Sequence, residues 1–212
     1  MRIITGSARG IPLETLPGED TRPTSDRVKE ALFSMIQFEI EGRRILDLFA
    51  GSGQLGLEAL SRGARHCIFI DNARAACDII TANAKKAKLY DRCRISTGDF
   101  VSFLRGAAGR EQFDIILLDP PYDAGYMPAA LTAIAEGGLL AHGGRIVCET
   151  DNGAQPVSKR LLKDDGYHRE QVQRQVFGER PELEARFTLL RTALYGRTRI
   201  TLLTEEKGEE QQ

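Results

Sequence analysis

From Arg44 onward the chain repeats one unit: a short apolar run, a turn, and a stretch of helical length. The apolar runs are residues 45–49, 67–70, 113–118 and 145–148, with a weaker one at 94–96. Helical stretches follow the glycines at 51–56 through about 61, and lie over about 73–88, 100–105 and 127–136. Strands that are apolar on both faces imply a parallel sheet covered by helices on both sides. Right-handed crossovers then lead to a doubly wound, Rossmann-like α/β fold. The chain ends differently. Residues 187–190 and 200–203 flank Tyr195-Gly196-Arg197 like an antiparallel pair, so the expectation is a mostly parallel seven-stranded sheet with an antiparallel terminal strand.

The segment before this repeat is turn-rich, with Gly6, Gly10, Pro12, Pro17, Gly18 and Pro23. It reads as a short hairpin that makes no core. Thr24, Ser25 and Asp26 offer N-cap oxygens. Val28, Ala31, Leu32, Met35 and Ile36 then recur at helical spacing, with Arg27, Lys29 and Glu30 on the opposite face. The expected organisation is an N-terminal extension over 1–40, a main domain over 41–204 and a frayed tail over 205–212. Residues 151–185 are polar and basic without a clear period and read as an extension or long excursion.

Composition narrows the function classes. Hydrophobic residues make up 42% and charged residues 28%, which suits a packed domain rather than a disordered chain. No apolar run reaches about 18 residues and no signal-like segment opens the chain, so a cytoplasmic protein without a membrane span is expected. Cys67, Cys77, Cys93 and Cys148 form no C-x-x-C pair and have no histidine at zinc spacing. They read as reduced thiols, and no metal is expected. The net charge of −1 does not advertise a nucleic-acid binder. Residues 155–199, however, hold ten Lys/Arg against six Asp/Glu, a local excess of four.

Gly51, Gly53 and Gly56 match G-x-G-x-x-G between the first strand and its helix. Absent side chains let a ligand approach the backbone and the free N–H groups of the helix start. Asp71 ends the second strand, where a carboxylate accepts from both ribose hydroxyls. Asp47, at the junction of strand and loop, can meet a cationic amino-acid group, which favours S-adenosylmethionine as the cofactor. Phe49, Ala50 and Ser52 complete the loop, and Asn72 adjoins Asp71. Asp99 can accept from an adenine amine with Phe100 supplying an N–H; equally, Asp99 can simply cap the next helix.

Asp119-Pro120-Pro121-Tyr122 follows the fourth strand. In open α/β sheets, ligands bind beyond the carboxyl ends of the strands, so this motif shares an edge with the glycine loop. Its residue types fit amine methylation. Asp119 and the Pro120 carbonyl can each accept from one N–H of an exocyclic base amine. Two prolines, Pro120 and Pro121, set φ and remove competing donors. Tyr122 offers a face on which an extruded base can stack.

These motifs together resemble the bacterial 16S rRNA (guanine-N2)-methyltransferases of the RsmD type, a class I methyltransferase family. Arg22-Pro23-Thr24-Ser25-Asp26-Arg27 followed by Glu30-Ala31-Leu32-Phe33 looks like its N-terminal signature, and Tyr195-Gly196-Arg197-Thr198 like its C-terminal one. The resemblance implies N2 methylation of a guanine in small-subunit rRNA on an assembling 30S particle, by an enzyme expected to be a monomer. It also implies RNA contacts at Arg9, Arg22, Thr24, Arg27 and Arg197. Residues 1–29 hold five Lys/Arg against four Asp/Glu, a thin excess for that role, and Lys159, Arg160 and Lys163 are further candidates. An amino-methyltransferase for another RNA or for DNA adenine stays open. So does a nicotinamide-dependent oxidoreductase, which rests on the glycine loop alone.

Overall fold

The computed structural model describes residues 1–16, 26–121, 125–151 and 165–205, with main chain alone over 165–168. Strands β1 (Arg44–Asp47), β2 (His66–Asp71), β3 (Cys93–Thr97), β4 (Phe113–Leu118), β5 (Leu140–Asp151), β6 (Phe187–Tyr195) and β7 (Thr198–Glu205) form one sheet. Its order is β3-β2-β1-β4-β5-β7-β6. The first five strands are parallel. Strand β7 runs antiparallel between β5 and β6, so the reversed strand is the last in sequence but not the edge of the sheet.

The apolar runs bury both faces by alternation. Along β4, Ile115 and Leu117 belong to one core cluster while Ile116 and Leu118 belong to the other. Removing each such side chain from water contributes about 1.5–3 kcal/mol. Helices α1 (Asp26–Met35), α2 (Gln54–Ser61) and α3 (Arg74–Lys86) pack on the first face. Helices α4 (Phe100–Ala107) and α5 (Tyr126–Gly137) pack on the second. Cys67 and Cys148 lie wholly buried in β2 and β5, where burial pushes both thiols up and keeps them unreactive. The chain runs outward from β1 to β3 and then returns to place β4 beside β1. That reversal opens a crevice between the carboxyl ends of β1 and β4.

The N-terminal segment corrects the expectation of a coreless hairpin. It does turn back on itself, with Arg2 bridging Pro12, but Ile3, Ala8 and Leu13 are buried in the same cluster as α1 and α2. A second correction concerns Lys29, expected on the polar face of α1. Its side chain is fully buried. The reason is Glu58 of α2, also fully buried, which accepts from the N–H groups of Ile4 (2.7 Å) and Thr5 (3.1 Å) and from Arg62 (2.8 Å). Lys29 Nζ lies 3.9 Å from Glu58 and donates to the Arg2 carbonyl. Burial pulls the Lys29 pKa down, with Glu58 opposing it. A charge on the sequence's polar stripe is thus drawn inside by a partner 29 residues away.

Residues 165–186 are also more ordered than their composition implied. Helix α6 (Asp165–Val172), a π-helical turn (Gln173–Phe177) and α7 (Pro181–Arg186) bury Val172, Val176, Phe177 and Leu183 against the second face. Lys159, Arg160 and Lys163 lie outside the described residues. Glu205, expected in the tail, closes β7 and pairs with Arg186 at 2.7 Å. No helix among the described residues is long and apolar enough to cross a membrane.

Candidate active site

The first wall of the crevice is the loop between β1 and α2. Gly51 and Gly53 have φ values of +53° and +77°, and only a residue without Cβ takes such angles without strain. A Cβ on Gly51 would meet nothing within 4 Å, so this side of the loop is open to a ligand. Gly56 is constrained on its inner side. A Cβ there would lie 2.3 Å from the Phe69 ring and 2.7 Å from the Cys67 sulfur. Gly56 therefore lets α2 close onto β2 and faces the core.

Two carboxylates hold this loop. Asp71 accepts from Gly51 N–H (2.8 Å) through one oxygen and from Ala73 N–H (2.9 Å) through the other. A carboxylate has about four acceptor positions, so both oxygens retain capacity for a diol. Asp47 is buried and accepts from Gly56 N–H at 2.9 Å. Burial pushes its pKa up to about 7; the Gly56 bond opposes that, while the charges of Asp119 and Asp71 add to it. Three carboxylates therefore converge on one crevice, and two of them raise the cost of ionising the third, Asp47. A cation bound among them relieves that cost.

The second wall follows β4. Leu48 N–H donates to the Leu117 carbonyl at 3.2 Å, so the start of the glycine loop and the end of β4 are directly joined. Asp119 is half-buried, Pro120 buried and Pro121 exposed at this edge. Tyr122 lies outside the described residues. Asp99 caps α4 by accepting from Ser102 N–H at 2.8 Å, as its plainer reading expected, and Phe100 begins that helix. Phe49, Ala50, Ser52, Asn72, Asp99 and Phe100 thus all sit with Asp47, Asp71 and Asp119 at the carboxyl ends of β1 to β4.

Two contributors escaped the sequence. Tyr126 begins α5, half-exposed, with its ring centroid 6.1 Å from Phe49 and parallel to it within 8°. Phe100 lies 5.0 Å from Phe49 and 5.4 Å from Tyr126. An aromatic trio therefore joins the loops after β1, β3 and β4. The signal available was an aromatic residue after Gly125, four positions beyond the motif tyrosine. The other is Asn83 of α3, fully buried. Its amide donates to the carbonyls of Glu14 (3.1 Å) and Ser52 (3.0 Å), and its oxygen accepts from Glu14 N–H (2.8 Å). Asn83 ties the N-terminal segment to the glycine loop, and Ser52 Oγ also donates to Met1 Sδ at 3.4 Å.

The residues expected to meet RNA are scattered. Arg9 and Arg27 are exposed on the N-terminal segment and α1, without a carboxylate partner among the described residues. Asp26, next to Arg27 in sequence, pairs with Arg2 (2.9 Å). Arg22 and Thr24 lie outside the described residues. Arg197 occupies the β6–β7 turn and pairs with Asp151 at 2.7 Å, at the carboxyl end of β5 and so on the crevice's edge of the sheet.

The family model described as Conserved hypothetical protein 95 matches residues 1–179. The chain belongs to this family. Its relatives include the Bacillus subtilis protein named "Putative rRNA methyltransferase YlbH", 46% identical over 152 residues, which cover 71% of this chain and 83% of that one. Another is the Haemophilus influenzae "Ribosomal RNA small subunit methyltransferase D", 34% identical over 168 residues, 77% of this chain and 87% of that one. Among solved structures, the "Putative methyltransferase yhhF" from Escherichia coli superposes with a TM-score of 0.74 at 29% identity, over 97% of this chain and 98% of its own. The sheet of this chain also differs from that of the dinucleotide oxidoreductases that share its glycine loop. Those use a 3-2-1-4-5-6 order, whereas here an antiparallel β7 is inserted between β5 and β6.

Proposed function

We propose that this chain is an S-adenosylmethionine-dependent methyltransferase that modifies the exocyclic N2 amine of a guanine in 16S rRNA. The observation that carries the reading is the convergence of the open glycine loop, Asp47, Asp71 and Asp119-Pro120 at the crevice between β1 and β4. The names borne by its relatives supply the RNA target.

The residues present fit this cofactor. Asp47, with its raised pKa among neighbouring carboxylates, favours a cationic amino-acid group. Asp71 takes the ribose hydroxyls and keeps the loop in place through Gly51. The backbone of residues 49–53 would line the bound cofactor, and Asn72, Asp99 and Phe100 would border its adenine. Bound there, the cofactor supplies an electrophilic methyl group on a sulfonium.

The chain's own groups do the rest. A guanine amine is a poor nucleophile because its lone pair is shared with the ring. Asp119 accepts from one N–H and the Pro120 carbonyl from the other, which turns the nitrogen towards tetrahedral geometry and frees the lone pair. The nitrogen gains a methyl group and loses one proton, and Asp119 is placed to take that proton. Positioning supplies most of the acceleration, since a sulfonium is a good leaving group. Tyr122 and the exposed ring of Tyr126 offer stacking faces for the extruded base.

Transfer of labelled methyl groups to 30S particles, free 16S rRNA and duplex DNA tests the target. Mass-spectrometric mapping of rRNA from cells lacking the protein then names the guanine. Transfer confined to DNA would sink the reading.

A further inference from the structure

We propose that the sheet edge opposite the active site is a second RNA-binding surface, built to take the sugar-phosphate backbone and unstacked bases of a single-stranded segment. The proposal rests on the reading of this chain as an RNA-directed enzyme and names a further contact with the same substrate.

The surface is made by three turns that precede β1, β2 and β3, residues 36–43, 62–65 and 87–92. They are bonded into one face. Gly42 N–H donates to the Gly63 carbonyl (2.9 Å), Arg65 N–H to the Arg43 carbonyl (2.8 Å) and the Arg92 guanidinium to the Ala64 carbonyl (3.0 Å). Between them and the N-terminal hairpin lies a cavity of about 570 Å³, walled by Thr5, Gln37, Arg62, Gly63 and Arg92. That volume falls within the usual range of pockets for small ligands and is ample for one nucleotide unit.

The charge on this face is uncompensated. Arg65, Lys85, Lys86, Lys88 and Arg92 have no carboxylate partner among the described residues, and the acids on the turns without a partner there are Glu41 and Asp91. Other cations on or beside this face are matched: Arg43 by Asp114, Arg44 and Arg94 by Glu111, and Arg62 by Glu58. The chain as a whole carries −1, so this excess is local and does not reflect a generally basic protein. A cluster of unpaired cations is the electrostatic footprint of a phosphate backbone.

Two aromatic side chains flank the cations. Phe38 is 93% exposed, next in sequence to Gln37 of the cavity wall. Tyr90 is 44% exposed, and Lys85 Nζ lies 5.2 Å from its ring centroid. A phenylalanine left in water makes no contribution to folding, whereas it provides a stacking platform for any base. Cations interleaved with such platforms are how single strands are bound without sequence preference. The 13 residues of α3 run from beside Asp71 to Lys86, so the two edges stand about 20 Å apart. A folded rRNA segment easily spans that separation.

The test uses the full chain and a fluorescein-labelled single-stranded oligoribonucleotide of about twenty nucleotides, alongside 30S particles. Two variants are compared with wild type, Lys85→Gln/Lys86→Gln/Lys88→Gln and Phe38→Ser/Tyr90→Ser. Each cation that neutralises a single-strand phosphate adds about 0.7 to the salt slope. The slope of the triple variant should therefore be smaller by about 2, so a fourfold rise in salt costs wild type roughly 20-fold more affinity than the variant. The aromatic variant should bind RNA more weakly with its slope unchanged. Both should raise the KM for particles and leave adenosylhomocysteine affinity and saturating kcat as in wild type. Unchanged RNA affinity and slope in both variants, with adenosylhomocysteine binding intact, overturns the proposal, as does weakened particle binding by the triple variant without a change in slope. Failure of wild type itself to bind adenosylhomocysteine or methylate rRNA would instead strike the functional reading.

Discussion

Asp47 should make the fold less stable at the same point where it makes the site useful; replacing it with asparagine separates the two effects. Its carboxyl is buried and its pKa stands at about 7 in the folded chain against 3.8 for the unperturbed group. The folded state therefore resists ionisation. Below about pH 4 both states hold the proton and Asp47 costs little. As pH rises the unfolded chain ionises first, and stability falls until the folded pKa is passed. A gap of about three pH units at about 1.36 kcal/mol each corresponds to a loss of about 4 kcal/mol, complete above about pH 7. An asparagine at this position keeps an oxygen to accept from Gly56 and has no charge to bury. Urea denaturation of Asp47→Asn and wild type at pH 4, 6 and 8 should show curves that nearly coincide at the lowest pH. The variant should then lead progressively, by an amount on the order of 4 kcal/mol at pH 8. Its affinity for the cationic cofactor should fall, and the wild-type rise in affinity between pH 6 and 8 should disappear. A stability difference independent of pH would refute the assignment of a raised pKa to Asp47.

Other substitutions probe the remaining contacts. Glu58→Ala leaves Lys29 buried without its counter-charge and strips acceptors from the Ile4 and Thr5 N–H groups, so chemical denaturation should report a loss of about 3–5 kcal/mol. Gly56→Ala drives a methyl group into the Phe69 ring and should cost about 1–3 kcal/mol by the same assay, although Gly56 lies inside a cofactor motif. Asp119→Ala should abolish turnover while calorimetry shows adenosylhomocysteine binding largely kept; Asp71→Ala, which releases Gly51 and Ala73, should chiefly raise the cofactor KM. Tyr126→Ala removes two ring contacts worth about 0.5–1.5 kcal/mol each and should raise the KM for RNA in steady-state methyl transfer.

Local pattern carried much of this molecule. The strands at 45–49, 67–70 and 113–118 were legible because a run that is apolar apart from at most a single aspartate fits the inside of a parallel sheet. The glycine loop and Asp119-Pro120-Pro121 were legible because their chemistry is written in adjacent residues. Strand β5 is longer than its apolar run implied, since Gly143 and Gly144 interrupt the pattern at an irregular register with β4 that only pairing reveals. Residues 165–186 showed no clean period because the buried side chains described there, Val172, Val176, Phe177 and Leu183, are spread over a helix, a π-helical turn and a second helix.

The kind of sheet, the order of its motifs and the edge on which they gather thus follow from the chain's own pattern. Everything that depends on a distant partner was settled by packing. Lys29 went inside because Glu58 awaited it, and Gly56 became a packing residue because the Phe69 ring of β2 leaves no room for a Cβ. Asn83, an ordinary helical polar residue by sequence, became the link between the N-terminus and the glycine loop. The physical reason is common to all three. Periodicity reports which face of an element is apolar, but the free energy of a buried group depends on which group meets it, and that is fixed only when remote segments are brought together.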